Sequence, residues 1–181
     1  NSERIWDKMY WGCLASGRRG AAISAISAID IAIWDLKGKI LNQPVHKLLG
    51  GHRDTVPTYG SGINRNYTSE ELVREVTDFV ESGYKMVKIK IGGRDTKEDL
   101  DRVKLVRETI GPDIDLALDV NNGWGLATAI RMAKKLEEYD IYWLEEPILI
   151  DEIDSLTKLA DETSIPIAVG ENHYTKWEFK E

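Results

Sequence analysis

Four successive apolar runs in this chain end on a charged residue, and those ends, Lys90, Asp119, Glu145 and Glu171, recur roughly every 25 to 30 residues. The runs are YKMVKIKIG (84–92), IDLALDV (114–120), IYWLEE (141–146) and IPIAVGE (165–171), preceded by a fifth, TVPTYGSG (55–62). Helical periodicity fills the gaps. SEELVREVTDFVES reads as a helix capped by Ser69, with Leu72 as its first core residue. TKEDLDRVKLVRETIG closes on Gly111-Pro112, and LATAIRMAKKLEEYD and DEIDSLTKLADET complete the set. This is the period of successive βα units, which implies parallel strands joined by helical crossovers.

Two α/β architectures fit that order, a doubly wound sheet and a (β/α) barrel. No G-x-G-x-x-G opens the first helix, so the nucleotide-binding version of the doubly wound sheet has no support. A complete barrel takes about 250 residues and eight strands. Five strands are visible here, so the expected fold is a partial TIM-type barrel of about five βα units. Residues 1–50 contain no convincing strand. After the break SGRRG, Ile23, Ile26, Ile33 and Leu36 recur at helical spacing, in a helix expected to end near Lys37-Gly38. NQPVHKLLGGHRD follows as a loop. The expected domains are a helical segment over 1–53 and a barrel portion over 54–181.

The bulk properties mainly exclude. A formal charge of −7 argues against a general nucleic-acid or anionic-membrane surface. AAISAISAIDIAIW is broken by Asp30, so no apolar run reaches the roughly 18 residues of a membrane helix. The polar start NSERIWDK has no apolar core of a secretion signal, and a single cysteine, Cys13, fits a reducing, cytoplasmic setting. The missing initiator Met and the short strand count predict a piece of a longer enzyme.

Alternation along the strands sorts the charges. Val87, Ile89 and Ile91 share one face, and Lys88 and Lys90 the other. Leu116, Leu118 and Val120 point toward helices, while Ala117, Asp119 and Asn121 face away; Glu145 lies with Trp143, and Glu171, read as the last residue of its strand, with Val169 and Ile167. Asp119, Glu145 and Glu171 are spaced by 26 residues twice. Three carboxylates at equivalent strand ends converge at the edge where barrels carry chemistry. They repel one another unless a cation sits between them, and their oxygens favour Mg²⁺ or Mn²⁺. An ammonium bordering such a cation gives up its proton more readily, which makes the lysine strand a candidate source of a general base.

Other polar residues read more simply. A single acidic strand end is ordinarily a cap or loop charge, but three in register beside paired lysines are not explained that way. Glu146, on the opposite face with Leu144, reads as a structural partner for a base rather than a ligand. His46 and His52 flank a loop; His173, two residues past Glu171, is the histidine expected to touch substrate. No serine or cysteine nucleophile motif is visible.

Together, K-x-K (Lys88, Lys90), D-x-N with Gly-Trp following (Asp119, Asn121, Trp124), W-L-E-E-P (Glu145) and V-G-E-N (Glu171) resemble the enolase superfamily, in its mandelate racemase and muconate lactonizing enzyme branch. AAISAISAIDIAIWDLKGKILNQPVHKLLGG is similar to the end of that family's capping domain. The resemblance implies one Mg²⁺ held by Asp119, Glu145 and Glu171, and abstraction of the proton α to a carboxylate to give an enediolate. It implies Lys90 as base, Lys88 as its helper and as a holder of the substrate carboxylate, and Asn121 near substrate.

Glu as third ligand, with GENHYTKWEF, is more similar to the racemase and acid-sugar dehydratase subgroup than to cycloisomerases or dipeptide epimerases. In that subgroup a His–Asp pair from later strands, beyond residue 181, supplies the second acid/base. The expected activity is dehydration of a sugar acid to a 2-keto-3-deoxy acid. The alternatives are racemisation or epimerisation of a 2-hydroxy acid, or a non-catalytic fragment that keeps the fold. The expected partners are a small-molecule carboxylate and further copies of the same subunit.

Overall fold

The computed structural model describes residues 1–62, 65–93 and 95–180. The chain divides into two compact units, Asn1–Val56 with Asn172–Glu181, and Pro57–Glu171.

In the first unit α1 (Ser2–Cys13) starts where the Asn1 side chain accepts from the Arg4 amide at 3.3 Å. Next comes α2 (Ala21–Leu41), which runs past the expected stop at Gly38 to an Asn42 cap in the left-handed region. Gly38 is interior and buried because a Cβ there would lie 2.8 Å from the Gln43 carbonyl; it permits a close approach rather than ending the helix. Of the expected apolar stripe, Ile26 is buried while Leu36 is exposed. The stretch read as a loop holds one helical turn, α3 (Val45–Leu48), which follows Pro44. The C-terminal turn α8 (Thr175–Glu178) brings Trp177 onto the Tyr10 ring, itself stacked on Trp6.

The second unit is a five-stranded parallel sheet in the order β1 (Gly60–Ser61), β2 (Met86–Lys90), β3 (Asp115–Asp119), β4 (Ile141–Glu145), β5 (Ile167–Ala168). Chain order equals spatial order. A doubly wound sheet reverses direction at a switch point, and no reversal occurs here, so the winding is that of a barrel. The helices α4 (Ser69–Glu81), α5 (Thr96–Ile110), α6 (Leu126–Leu136) and α7 (Ile153–Glu162) lie between the strands in sequence. Their inner faces, with Val76, Val106, Met132 and Leu159 among them, form one cluster with Val87, Ile89, Leu116, Leu118 and Leu144. That is the strand face the alternation predicts to be apolar.

Two of the strands are shorter than expected. Pro57 has no amide to donate, and only Gly60 and Ser61 pair with β2. At the other edge β5 pairs over Ile167 and Ala168 alone. Helix α4 starts one residue earlier than expected. Thr68 is its cap, in a reciprocal box with Glu71: the Glu71 amide donates to Thr68 Oγ1 at 3.2 Å and the Thr68 amide to Glu71 Oε2 at 2.9 Å. Helix α5 closes at Gly111 as expected, and its last-turn Arg107 donates to the carbonyls of Gly111, Ile114, Tyr139 and Asp140. Burial pulls that guanidinium below its ordinary value, with Asp140 and Asp115 opposing.

Candidate metal centre and lysine pair

Register builds the site. Lys90 pairs with Asp119 across β2 and β3, and Asp119 pairs with Glu145 across β3 and β4. The second pairing depends on an irregularity: Leu116 faces Ile141, but Ala117 faces Trp143, so β4 carries one extra residue, Tyr142. Without that shift Asp119 would pair with Leu144. A one-residue slip sends every later side chain to the opposite face. The bulge therefore sets Glu145 beside Asp119 and Leu144 beside Leu118 in the core.

Glu171 arrives differently. Glu145 pairs with Ala168, so the second spacing of 26 is not a register equivalence. β5 ends before Glu171, and Val169 and Gly170 carry the chain to it. Its carboxylate still joins the other two: one oxygen each from Asp119, Glu145 and Glu171 lie within 4.8 Å of one another.

Asp119 is fully buried. Its Oδ2 accepts from Lys90 Nζ at 2.8 Å and lies 3.5 Å from Lys88 Nζ, and its Oδ1 accepts from the Asn121 amide at 3.0 Å. Lys88 Nζ donates to both oxygens of Glu145 at 2.9 Å. Asn121 sits in the left-handed region, φ +47°, past the end of β3. From there its Oδ1 accepts from Lys90 Nζ at 2.6 Å and its Nδ2 is 3.4 Å from Glu171 Oε1. One amide thus spans the lysine strand and the Glu171 carboxylate. Burial pulls the Lys88 ammonium down, but the hydrogen bonds and charge of Glu145, with Asp119 behind, outweigh it and hold Lys88 above the ordinary lysine value.

Three carboxylate oxygens from three neighbouring chain segments form a hard, all-oxygen donor set. That set fits Mg²⁺ or Mn²⁺ and suits a softer thiophilic metal poorly. A hollow lined by Trp143, Glu145, Ala168, Val169, Gly170 and Glu171 opens beside it.

Several further residues brace the site. Glu146, expected to partner a base, is buried with φ +40° and accepts from the Asn122 side-chain amide at 3.0 Å; Asn122 therefore does more than turn the chain. Behind the lysine strand, Asp99 Oδ1 accepts from the amides of Gly92 and Gly93, and Arg65 donates to the carbonyls of Val120 and Gly92. These four contacts brace the loops that follow Lys90 and Asp119. His173 belongs to the first unit, stacked on Phe179 with ring centroids 4.8 Å apart and its Nδ1 buried without a hydrogen-bond partner.

Residues 71–181 match the family model for the enolase C-terminal domain-like fold, and residues 1–50 that for the mandelate racemase / muconate lactonizing enzyme N-terminal domain. The chain belongs to the mandelate racemase / muconate lactonizing enzyme branch of the enolase superfamily. Within that branch it is 42% identical over 181 residues to an arabinonate dehydratase of Saccharolobus solfataricus, covering 99% of this chain and 48% of the relative. It is 40% identical over 177 residues to a 3,6-anhydro-alpha-L-galactonate cycloisomerase of Streptomyces coelicolor, covering 98% and 49%. A crystal structure of a racemase from Streptomyces coelicolor A3(2) with bound magnesium superposes with a TM-score of 0.96 at 39% identity, over 99% of this chain and 50% of that one. The chain spans about half the length of the relatives it matches. Among the described residues, no helix is long and apolar enough to cross a membrane.

Proposed function

We propose that this chain carries the metal-binding and lysine-bearing part of an acid-sugar dehydratase, in which Asp119, Glu145 and Glu171 hold Mg²⁺ and Lys90 removes the proton α to the substrate carboxylate. The observation that carries this reading is the convergence of the three carboxylate oxygens within 4.8 Å beside a lysine 2.8 Å from one of them. Mn²⁺ would suit the same donor set.

The charges support it. With both lysines protonated, three carboxylates against two ammonium groups leave one negative charge over. A divalent cation turns that into one positive charge, and into none once Lys90 has lost the proton it must lose to act as base, so a carboxylate substrate is not repelled. When bound, the cation supplies positive charge to the carboxylate oxygens as the enediolate develops.

The remaining work falls to the chain. Lys90, in its unprotonated form, takes the α-proton as the C–H bond breaks, and Asn121 Oδ1 holds its amine in place. The electron pair passes into the carboxylate, and Lys88 stands beside it to share that charge. Return of the pair expels the β-hydroxyl, which leaves as water after taking a proton from an acid. The enol product tautomerises to a 2-keto-3-deoxy acid. His173 is proposed as a substrate contact and small-molecule carboxylates as the substrate class. A homo-oligomeric, cytoplasmic enzyme is the setting we infer, with residues 1–53 as the end of the capping domain and 54–181 as the start of the barrel.

The likeness to the magnesium-bound racemase favours a second reading, in which the enediolate is reprotonated from the opposite face and nothing is expelled. One experiment tests both. The full-length protein is incubated in D₂O with a panel of aldonic and aldaric acids. A 2-keto acid product supports dehydration. Deuterium in recovered substrate without a keto acid supports racemisation, and neither signal in the presence of Mg²⁺ overturns the shared chemistry.

A further inference from the structure

Glu145 has two kinds of partner, and only one of them carries charge. Lys88 donates to both of its oxygens, while the indole N–H of Trp143 donates to Oε2 at 3.0 Å. We propose that Trp143 is a positioning residue of the metal centre: its indole N–H fixes the Glu145 carboxylate in the orientation in which the three ligand oxygens converge. The inference rests on the metal-centre reading above.

The fold builds this contact deliberately from several directions. Trp143 and Glu145 are two residues apart on β4, so both project from the same face. The extra residue Tyr142 sets Trp143 opposite Ala117, whose side chain ends at Cβ and leaves the indole room. The ring then meets two aromatic neighbours. Tyr59 meets it edge-on, centroids 5.5 Å apart at 78°, and Tyr142 at 5.4 Å and 62°. Tyr59 also lies under the Lys88 ammonium, 5.6 Å from ring centroid to Nζ. Trp143 therefore has few ways to turn, and its N–H points at one carboxylate oxygen.

The lack of charge is what separates its role from that of Lys88. A cation at Glu145 competes with the Lys88 ammonium for the same negative charge. The indole does not compete, so its hydrogen bond persists whether or not metal is bound. Partners of metal-ligating groups that act this way commonly cost about 10–100-fold in metal affinity when removed.

The test is Trp143→Phe in the full-length protein, which removes the N–H and keeps an aromatic ring. The readout is the dissociation constant for Mn²⁺ and for Mg²⁺ by titration calorimetry, alongside the thermal midpoint of the metal-free protein. The expected result is about 10–100-fold weaker binding with the metal-free midpoint unchanged, and partial recovery in Trp143→His, which restores a ring N–H. Binding within twofold of wild type overturns the role of Trp143 and leaves the metal centre standing. Asp119→Asn separates the two ideas: if wild type binds no metal, or Asp119→Asn binds it equally well, the centre itself fails and the inference with it. Should Trp143→Phe not fold, the indole resonance of Trp143 in the wild type decides. A protected N–H in both metal-free and Mg²⁺-loaded protein supports the role, and a freely exchanging one overturns it.

Discussion

Lys90 and Asp119 are register partners on adjacent parallel strands, and Lys90 Nζ lies 2.8 Å from Asp119 Oδ2. The proposed base and the most buried proposed metal ligand therefore share one hydrogen bond, and whatever takes up the charge of Asp119 also acts on Lys90. Asp119→Asn removes that charge and keeps an oxygen to accept from the Asn121 amide. Metal that binds only the folded protein adds about 2.7 kcal/mol of stability at a hundred times its dissociation constant. The wild type is expected to show that gain as an Mg²⁺-dependent thermal shift, and Asp119→Asn to show none. An equal shift in both proteins would remove Asp119 from the ligand set.

Lys90→Gln is one atom shorter than lysine and keeps a hydrogen-bonding N–H, but it cannot take a proton. Loss of a positioned general base lowers turnover by about 10²–10⁴-fold. The same drop is expected here in keto acid formation and in deuterium exchange at the α-carbon, with Mg²⁺ affinity changing far less. Unchanged α-proton exchange in this variant would assign the base to another residue.

What the sequence reveals and what it hides divide along a physical line. Alternation places Lys88, Lys90, Asp119 and Glu145 on one face because period two is built into any strand, and the apolar face follows with it. The equal spacing of 26 is more treacherous. Between Asp119 and Glu145 it reflects true register, yet only because Tyr142 bulges; between Glu145 and Glu171 it is a coincidence of loop length. Bulges depend on pairing with another strand, so nothing local in IYWLEE announces one. Alternation puts Trp143 on the face of Glu145 but says nothing of its N–H, and Asp99 and Arg65 are hidden for a related reason: each acts through an atom brought close by the fold, from a residue type that is ordinary where it stands. Gly38 misleads in the opposite way. A glycine after a lysine looks like a helix stop, and only the chain folding back at Gln43 explains its place inside α2.

Asp99, which is not one of the proposed metal ligands, gives a pH signature of its own. Burial raises its carboxyl above the ordinary 3.8, against the lowering effect of the Gly93 and Gly92 amides and the Arg65 charge. A raised acid is favoured in its protonated form by folding. Its contribution to stability is thus complete below pH 3.8 and is lost as the pH rises through the raised value. Asp99→Asn does not titrate and keeps an oxygen for both amides. Wild type is therefore expected to lose stability relative to Asp99→Asn as pH rises from 3.8 through the raised value, and the gap then to level off. Urea midpoints of the two proteins across that range measure it. A constant difference would show that the carboxyl titrates alike in folded and unfolded chains.

Gly92 and Gly93 are neighbours with opposite tolerances. Gly92 has φ +85°, and a Cβ there would lie 2.6 Å from both Cγ1 and the carbonyl oxygen of Val120. Gly93 has no such backbone constraint, and its Cβ would meet Asp99 Oδ1 at 3.5 Å, an ordinary contact. Gly92→Ala thus combines an unfavourable left-handed conformation, worth about 1–3 kcal/mol, with a collision against the backbone that follows Asp119. The strand end must shift to relieve it, and Lys90 and Asp119 lie on either side of that contact. Gly92→Ala is expected to lower the unfolding free energy read from urea denaturation by at least that amount and to weaken Mg²⁺ binding, while Gly93→Ala stays near wild type in both. Equal behaviour of the two variants would mean that the close approach of the β2 and β3 loops does not hold the carboxylate and lysine in register.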